Sequence, residues 1–324
     1  MTAGILHGSP LARGPANTAP ASGPYLPGRA MRAPSPRARR RARRLQGLAL
    51  FGPAGALLAG LLVIPVGFTV YLGLTNAELI GPTAAHFSFT GLANVNRLAS
   101  DTAFWKSALL TFIFVAGSAL GSVVVGLVLA LLLRQVPRSL ANLVSGVVVV
   151  AWMLPAVTAA MIWYAFSAQG GTLDALTRTS SFDLLTSDPL LTVVIAMIWA
   201  TAGFAMLVIS AGLRNVSDEV LDAAKVDGAG TWARFASVTL PLLKPTLVTA
   251  ALVSAILSIS NFTLVYVMTG GGPGTATDIL PIYSYQQAFN YYNLGYGALI
   301  GVVIVAAATV LAALSSRTPH RGMA

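Results

Sequence analysis

Six stretches of the chain are almost purely apolar, separated by shorter polar segments: residues 48–74, 107–133, 144–166, 190–213, 245–268 and 295–315. About 20 apolar residues at 1.5 Å rise cross a ~30 Å hydrocarbon layer, so each stretch is long enough to span a bilayer. None alternates as a barrel strand would, and helices satisfy their own backbone groups in lipid. The pattern therefore predicts an all-α membrane protein with six transmembrane helices over 48–315.

The polar segments set the orientation. Taking the N-terminus as internal, 17 of the 20 Lys and Arg residues fall on the inner side. The outer side holds Arg97, Lys106 and Arg178. Positive charge stays on the cytosolic side, so both termini and the segment 214–244 are expected there. Residues 1–47 are rich in Pro, Ala, Gly and Arg and read as a disordered basic cytosolic tail. The pairs Arg39-Arg40 and Arg43-Arg44 invite a twin-arginine export signal, but the apolar run after them is long enough to span, so the tail reads as an anchor. Residues 316–324 form a second short cytosolic tail.

The segment 214–244 is too apolar for a loop bathed by water, with Val220, Leu221, Val226, Trp232, Phe235 and Val238. It needs a partner surface or the ends of the chain's own helices. Ser217 is placed to cap a short helix with Asp218 and Glu219 in its first turn, ending where Gly228 permits a left-handed residue. A second short helix, 232–238, is expected to stop at Leu240-Pro241.

The run Asp222-Ala223-Ala224-Lys225-Val226-Asp227-Gly228-Ala229, followed after a gap by Val238-Thr239-Leu240-Pro241, resembles the EAA loop of ABC-importer membrane subunits. Asp222 stands where that family usually has Glu. Gly91-Leu92-Ala93-Asn94, Phe104-Trp105, Leu154-Pro155 and the turn Met268-Thr269-Gly270-Gly271-Gly272-Pro273 resemble its maltose-permease-like, carbohydrate-uptake branch. Asp174 sits where that branch often carries Asn. The resemblance covers about 48–315. It implies an EAA-type coupling loop between helices 4 and 5, with Asp222, Ala223, Ala224, Asp227, Gly228, Val238, Leu240 and Pro241 meeting an ATPase subunit. It also implies a multi-pass permease of the bacterial cytoplasmic membrane. The implied partners are a second permease, two ATP-binding subunits, an extracytoplasmic solute-binding protein and membrane lipid. ATP and Mg would be bound by those partner subunits, with no cofactor in this chain.

The remaining residues exclude several chemistries. At 56% hydrophobic and 9% charged, against about a quarter charged in average domains, the chain is not a soluble globular protein. Its net charge of +10 is concentrated in the N-terminal arginines without an aromatic-and-basic pattern, so no nucleic acid is expected. None of its three lysines follows a glycine, so no P-loop is present. With no cysteine and three isolated histidines, neither a metal site nor a catalytic centre is expected. No Asp, Glu, Lys, Arg or His interrupts the six runs, which argues against a proton- or sodium-coupled carrier. In the fifth run Ser258, Asn261, Thr263 and Tyr266 are candidate substrate-path residues; interhelical hydrogen bonding is the alternative for each. The function expected is import of a sugar or related polyol. A polyamine or phosphorylated polyol, and a scaffold that docks a cytosolic partner, are the alternatives.

Overall fold

The structure, a computed structural model, describes residues 36–177 and 183–316. The expected tail over 1–35, Arg178, and Arg317 to Ala324 lie outside the described residues. Two compact units divide the chain, residues 1–60 and 61–324. The described part of the first is helical, with Phe51, Leu57 and Leu58 exposed.

Eleven helices matter here: α1 (Pro36–Gly73), α2 (Ala93–Ser100), α3 (Thr102–Leu133), α4 (Arg138–Trp152), α5 (Ala156–Ser167), α6 (Pro189–Arg214), α7 (Asp218–Val226), α8 (Thr231–Ile259), α9 (Phe262–Thr269), α10 (Leu280–Tyr285) and α11 (Leu294–Ser316). Five helices are long and apolar enough to cross a membrane, or six if the bent pair α4–α5 counts as one span. Among the described residues there is no strand, only an isolated bridge between Thr75 and Phe89.

Four expectations change. Residues 36–47, read as disordered, open α1 as helix; their Arg, Ala, Leu and Gln are strong helix formers. The run 144–166 is not one helix. It breaks after Trp152 and turns by 99°, because Pro155 donates no hydrogen bond and pushes the residue before it out of the α region. The helix expected over 232–238 does not stop at Leu240-Pro241. Thr231–Arg234 passes through a π-turn, Phe235–Thr239, into the long helix that carries Pro241 and Pro245. A widened turn relieves the clash and missing donor that proline brings to a regular helix. The run 245–268 is also interrupted, at Ser260, and restarts under the side chain of Asn261, which accepts from Leu264 N at 3.0 Å.

The bundle packs on small residues. Along α3, Gly117, Gly121 and Gly126 face Val194, Ile198 and the Ala205-Met206 backbone of α6. The Ser122 and Thr201 hydroxyls meet at 2.6 Å in the same seam. Lipid tails are as apolar as leucine, so such helices gain from close backbone approach and interhelical hydrogen bonds rather than from burial itself. Three apolar clusters fill the interior. One surrounds Phe114, Met197 and Leu264, one Met206, Ile209 and Leu243, and one Phe104, Tyr296 and Ile300.

At the end where α3 begins, Asp101 joins three helices. Its Oδ1 accepts from Ala103 N (2.9 Å) and Phe104 N (3.3 Å), capping α3. Its Oδ2 accepts from the Tyr283 hydroxyl of α10 (2.6 Å) and the Tyr296 hydroxyl of α11 (2.5 Å). The Arg97 guanidinium lies 4.1 Å over the Tyr296 ring. Burial pushes the Asp101 carboxyl upward, but its hydrogen bonds to Tyr283, Tyr296, Phe104 and Ala103 outweigh this and hold it below the usual range.

Two outcomes follow. A Cβ on Gly126 would lie 2.8 Å from both Met206 N and the Ala205 Cβ. Gly126→Val therefore forces α3 and α6 apart, with an expected loss of about 1–3 kcal/mol, read as a lower melting temperature in detergent. Gly146→Ala, where a Cβ meets nothing within 4 Å, is the matched control. Because the Asp101 pKa is depressed, its stabilisation is present above about pH 4 and lost as pH falls through the lower folded value. Melting of the native protein should weaken in that acid window. Asp101→Ala should melt lower at pH 7 and lack that part of the acid response.

Candidate functional site

The segment 214–244 folds as a helical elbow seated on the bundle end. Ser217 accepts from Glu219 N at 3.2 Å and starts α7, with Asp218 and Glu219 in its first turn and Lys225 in its last. Both charge placements favour the helix dipole. The helix ends at Asp227, and Gly228 takes φ +80°. One side of the elbow is anchored: Val216 and Leu213 are buried with Leu243 against Met206 and Ile209, and Leu221 packs on the same cluster. Arg134, beyond the end of α3, approaches Asp218 at 4.0 Å. Both groups are well exposed, so this contact orients more than it stabilises.

The other side is open. Val226 is 88% exposed and Trp232 77%, with Val220, Asp222 and Ala223 exposed nearby. Trp232 leans on Phe235 with ring centres 5.5 Å apart. Asp222 is paired within its own helix, its Oδ1 2.5 Å from Lys225 Nζ. Of the other residues named for coupling, Ala224 and Val238 are half-buried, Asp227, Gly228 and Pro241 are exposed, and Leu240 is 36% exposed. Leu240 and Pro241 lie within α8 and do not form the exit turn expected of them. Arg134 was read only as part of the charge count; its place four residues before Arg138, at an inner helix end, gave no sign of a contact with Asp218.

The four candidate path residues do not share one cavity. Ser258 is fully buried and donates to Ser254 O at 2.9 Å. Asn261 caps α9 and points its amide at Met197 Sδ, 3.4 Å away. Thr263 is half-buried. Tyr266 is 41% exposed and joins an aromatic group that the sequence reading missed: it stacks on Phe262 at 4.8 Å and meets Tyr285 edge-on at 5.2 Å, and Phe289 follows Tyr285 at 5.1 Å. The spacing of Tyr285 and Phe289, one helical turn apart, was the available signal. Beside this group an open cleft of about 450 Å³ is lined by Phe262, Tyr285, Phe289, Ser284 and the small residues Gly297 and Gly301. Asp174, buried, accepts from Gly170 N at 2.7 Å, which fixes a turn.

Residues 122–318 match the family model described as "Binding-protein-dependent transport system inner membrane component". The chain is 32% identical over 280 residues to the sulfoquinovosyl glycerol transport system permease protein SmoG of Agrobacterium fabrum, covering 85% of this chain and 90% of that one. It is 33% identical over 275 residues to the trehalose transport system permease protein SugA of Mycobacterium tuberculosis, covering 84% and 88%. A chain of a bacterial alginate ABC transporter, crystallised with an alginate pentasaccharide-bound periplasmic protein, superimposes with a TM-score of 0.71 at 17% identity. That match covers 87% of this chain and 96% of the other and shows the fold alone.

A local test concerns the end of α7. A side chain at Gly228 meets nothing within 4 Å, so the constraint there is the positive φ and not space. Gly228→Val should cost about 1–2 kcal/mol, loosening the turn roughly 5- to 30-fold in amide exchange of 226–229. Gly230→Ala, at φ −63° and equally open, should leave exchange unchanged.

Proposed function

The chain belongs to the binding-protein-dependent transport system inner membrane components, and from that membership we propose that it is one permease half of an importer moving a sugar or related polyol into the cell. As a member of that family it is a multi-pass inner-membrane transport component and not itself catalytic. Its importer would be completed by a second permease, two ATP-binding subunits that carry ATP and Mg, and an extracytoplasmic binding protein. We read the bent pair α4–α5 as one span, giving six in all with both termini cytosolic. The distribution of Lys and Arg supports this.

The observation that carries the proposal is the elbow of α7 and the start of α8. It is anchored to the bundle through Val216, Leu221 and Leu243, while Val226 and Trp232 stay bare on the opposite side. An exposed apolar face mounted on a rigid support is what a moving cytosolic subunit needs to grip. We assign Asp222, Ala223, Ala224, Asp227 and Gly228 to that contact, with Val238, Leu240 and Pro241 behind it as part of α8. A neutral hydroxyl-rich solute is favoured over a polyamine or phosphorylated polyol because the six apolar runs carry no Asp, Glu, Lys, Arg or His. The relatives named for trehalose and for sulfoquinovosyl glycerol support a sugar or sugar glycoside, the first of them neutral and the second a sulfonate. Tyr266 and its aromatic neighbours offer ring faces and hydroxyl groups suited to such a solute, with Asn261, Thr263 and Ser258 on the same stretch of chain.

The test is reconstitution with the cognate subunits. Saturating sugar-loaded binding protein should stimulate ATP turnover and drive uptake. Trp232→Ala and Asp222→Lys should insert normally yet lose ATPase co-purification or coupling, Asp222→Glu retaining both. Stimulation by polyamine alone would overturn the solute class. Normal coupling in both Trp232→Ala and Asp222→Lys would remove the elbow from its role.

A further inference from the structure

Between α9 and α10 the chain forms a tight loop, 270–279, to which the proposed function assigns no role. Gly270, Gly271 and Gly274 hold φ of +61°, +97° and +60°, conformations that glycine accepts without strain. The loop is closed from within: Thr277 N donates to Gly271 O and the Thr277 hydroxyl to Gly272 O, both at 3.0 Å. It is held from the side by α3. Lys106 Nζ donates to the Thr275 hydroxyl at 2.7 Å, and Leu280 N donates to the Thr111 hydroxyl at 2.8 Å.

Enclosed by these contacts is Asp278, only 4% exposed, whose Oδ1 is buried without a hydrogen-bond partner among the described residues. The wall beside it is close. A Cβ on Gly271 would stand 3.6 Å from that oxygen and 3.1 Å from Gln286 Nε2. From α3 the facing charge is Lys106, which is spent on Thr275 and makes no ion pair with Asp278. From α10 the titratable neighbour is Tyr283, whose hydroxyl is committed to Asp101, with Arg97 behind it. Gln286, next along the chain, is neutral. A carboxylate enclosed in this way lacks the donors that would offset its lost hydration, whereas a carboxylic acid there has far less to lose.

The geometry points to Asp278 as a proton-controlled latch: protonated, it lets the 270–279 loop stay shut on α3, and ionised, it drives the loop to open to water. Burial raises the carboxyl to about 6, with Lys106 drawing it part of the way back. In an opened loop the group returns to the ordinary value of 3.8. The shut form therefore binds the proton more tightly. Shutting is favoured as pH falls from about 6 towards 4, and the full penalty of ionisation applies above 6. A gap of about two pK units corresponds to a change of up to about 100-fold in the ratio of shut to open loop.

Hydrogen exchange of 270–279 in the full chain, in lipid nanodiscs and corrected for intrinsic rate, tests this between pH 4 and 7.5. The native loop should gain protection by tens of fold as pH falls, the rise beginning near 6 and half of the logarithmic gain reached near 5. Asp278→Asn, neutral throughout, should be protected at every pH. Lys106→Met removes the opposing charge, so its midpoint should move upward even if the loop is looser overall. A native loop with the same corrected protection at pH 4 and 7.5 overturns the latch. So does a pH response surviving in Asp278→Asn, or a Lys106→Met midpoint that stays or falls. The readout is loop protection alone, so its result is independent of which solute the chain carries.

Discussion

A backbone N–H or C=O without a partner costs several kcal/mol in hydrocarbon, and this constraint decides where the chain can depart from regular helix. At three of the departures a side chain takes over a backbone donor. Asp101 receives Ala103 N and Phe104 N at the start of α3. Asn261 receives Leu264 N where α8 gives way to α9. The Thr111 hydroxyl, reaching across from α3, receives Leu280 N as α10 begins. The last case also ties two helices together, so satisfying the backbone and assembling the bundle become the same contact. Asp101 extends the principle: one carboxylate caps one helix and collects a tyrosine hydroxyl from each of two others.

This explains what was legible in the sequence. Long apolar runs announce spans because bilayer thickness imposes a length on them, and all six runs lie on helix. Breaks inside the runs are a different matter. Pro155 was visible, but a proline in an apolar run can kink, end or merely decorate a helix, and only packing chooses. Pro241 shows the opposite outcome, with the helix continuing through a π-turn. Asn261 was noticed as a polar group in an apolar run, and in the structure its side chain caps α9. The same physics that makes a buried amide attractive as a ligand contact makes it useful to a broken helix.

The elbow of α7 was far more legible, because it is built from local rules. A capping serine, acidic residues in the first turn and a glycine at the end act within a few residues of one another, and each is found in its expected place. Asp222, implied by the resemblance to meet an ATPase subunit, has Lys225 one turn away. Any outside partner must therefore compete with that ion pair, which is exposed and so inexpensive to break. The Asp101 and Asp278 clusters join residues more than 160 positions apart, and no local pattern foretells them.

The continuity of α8 has a consequence for how such a chain can change over time. From Thr231 to Ile259 it is a single helix of 29 residues, about 43 Å long at 1.5 Å per residue. Exposed Trp232 is near one end and buried Ser258 near the other. Adding or deleting one residue anywhere between them would swing one end by about 100° relative to the other. Substitutions can accumulate along this stretch, but insertions and deletions cannot without a second, compensating one. Length variation among descendants should gather in the connections outside it, leaving this rod with a fixed count of residues even where its composition drifts.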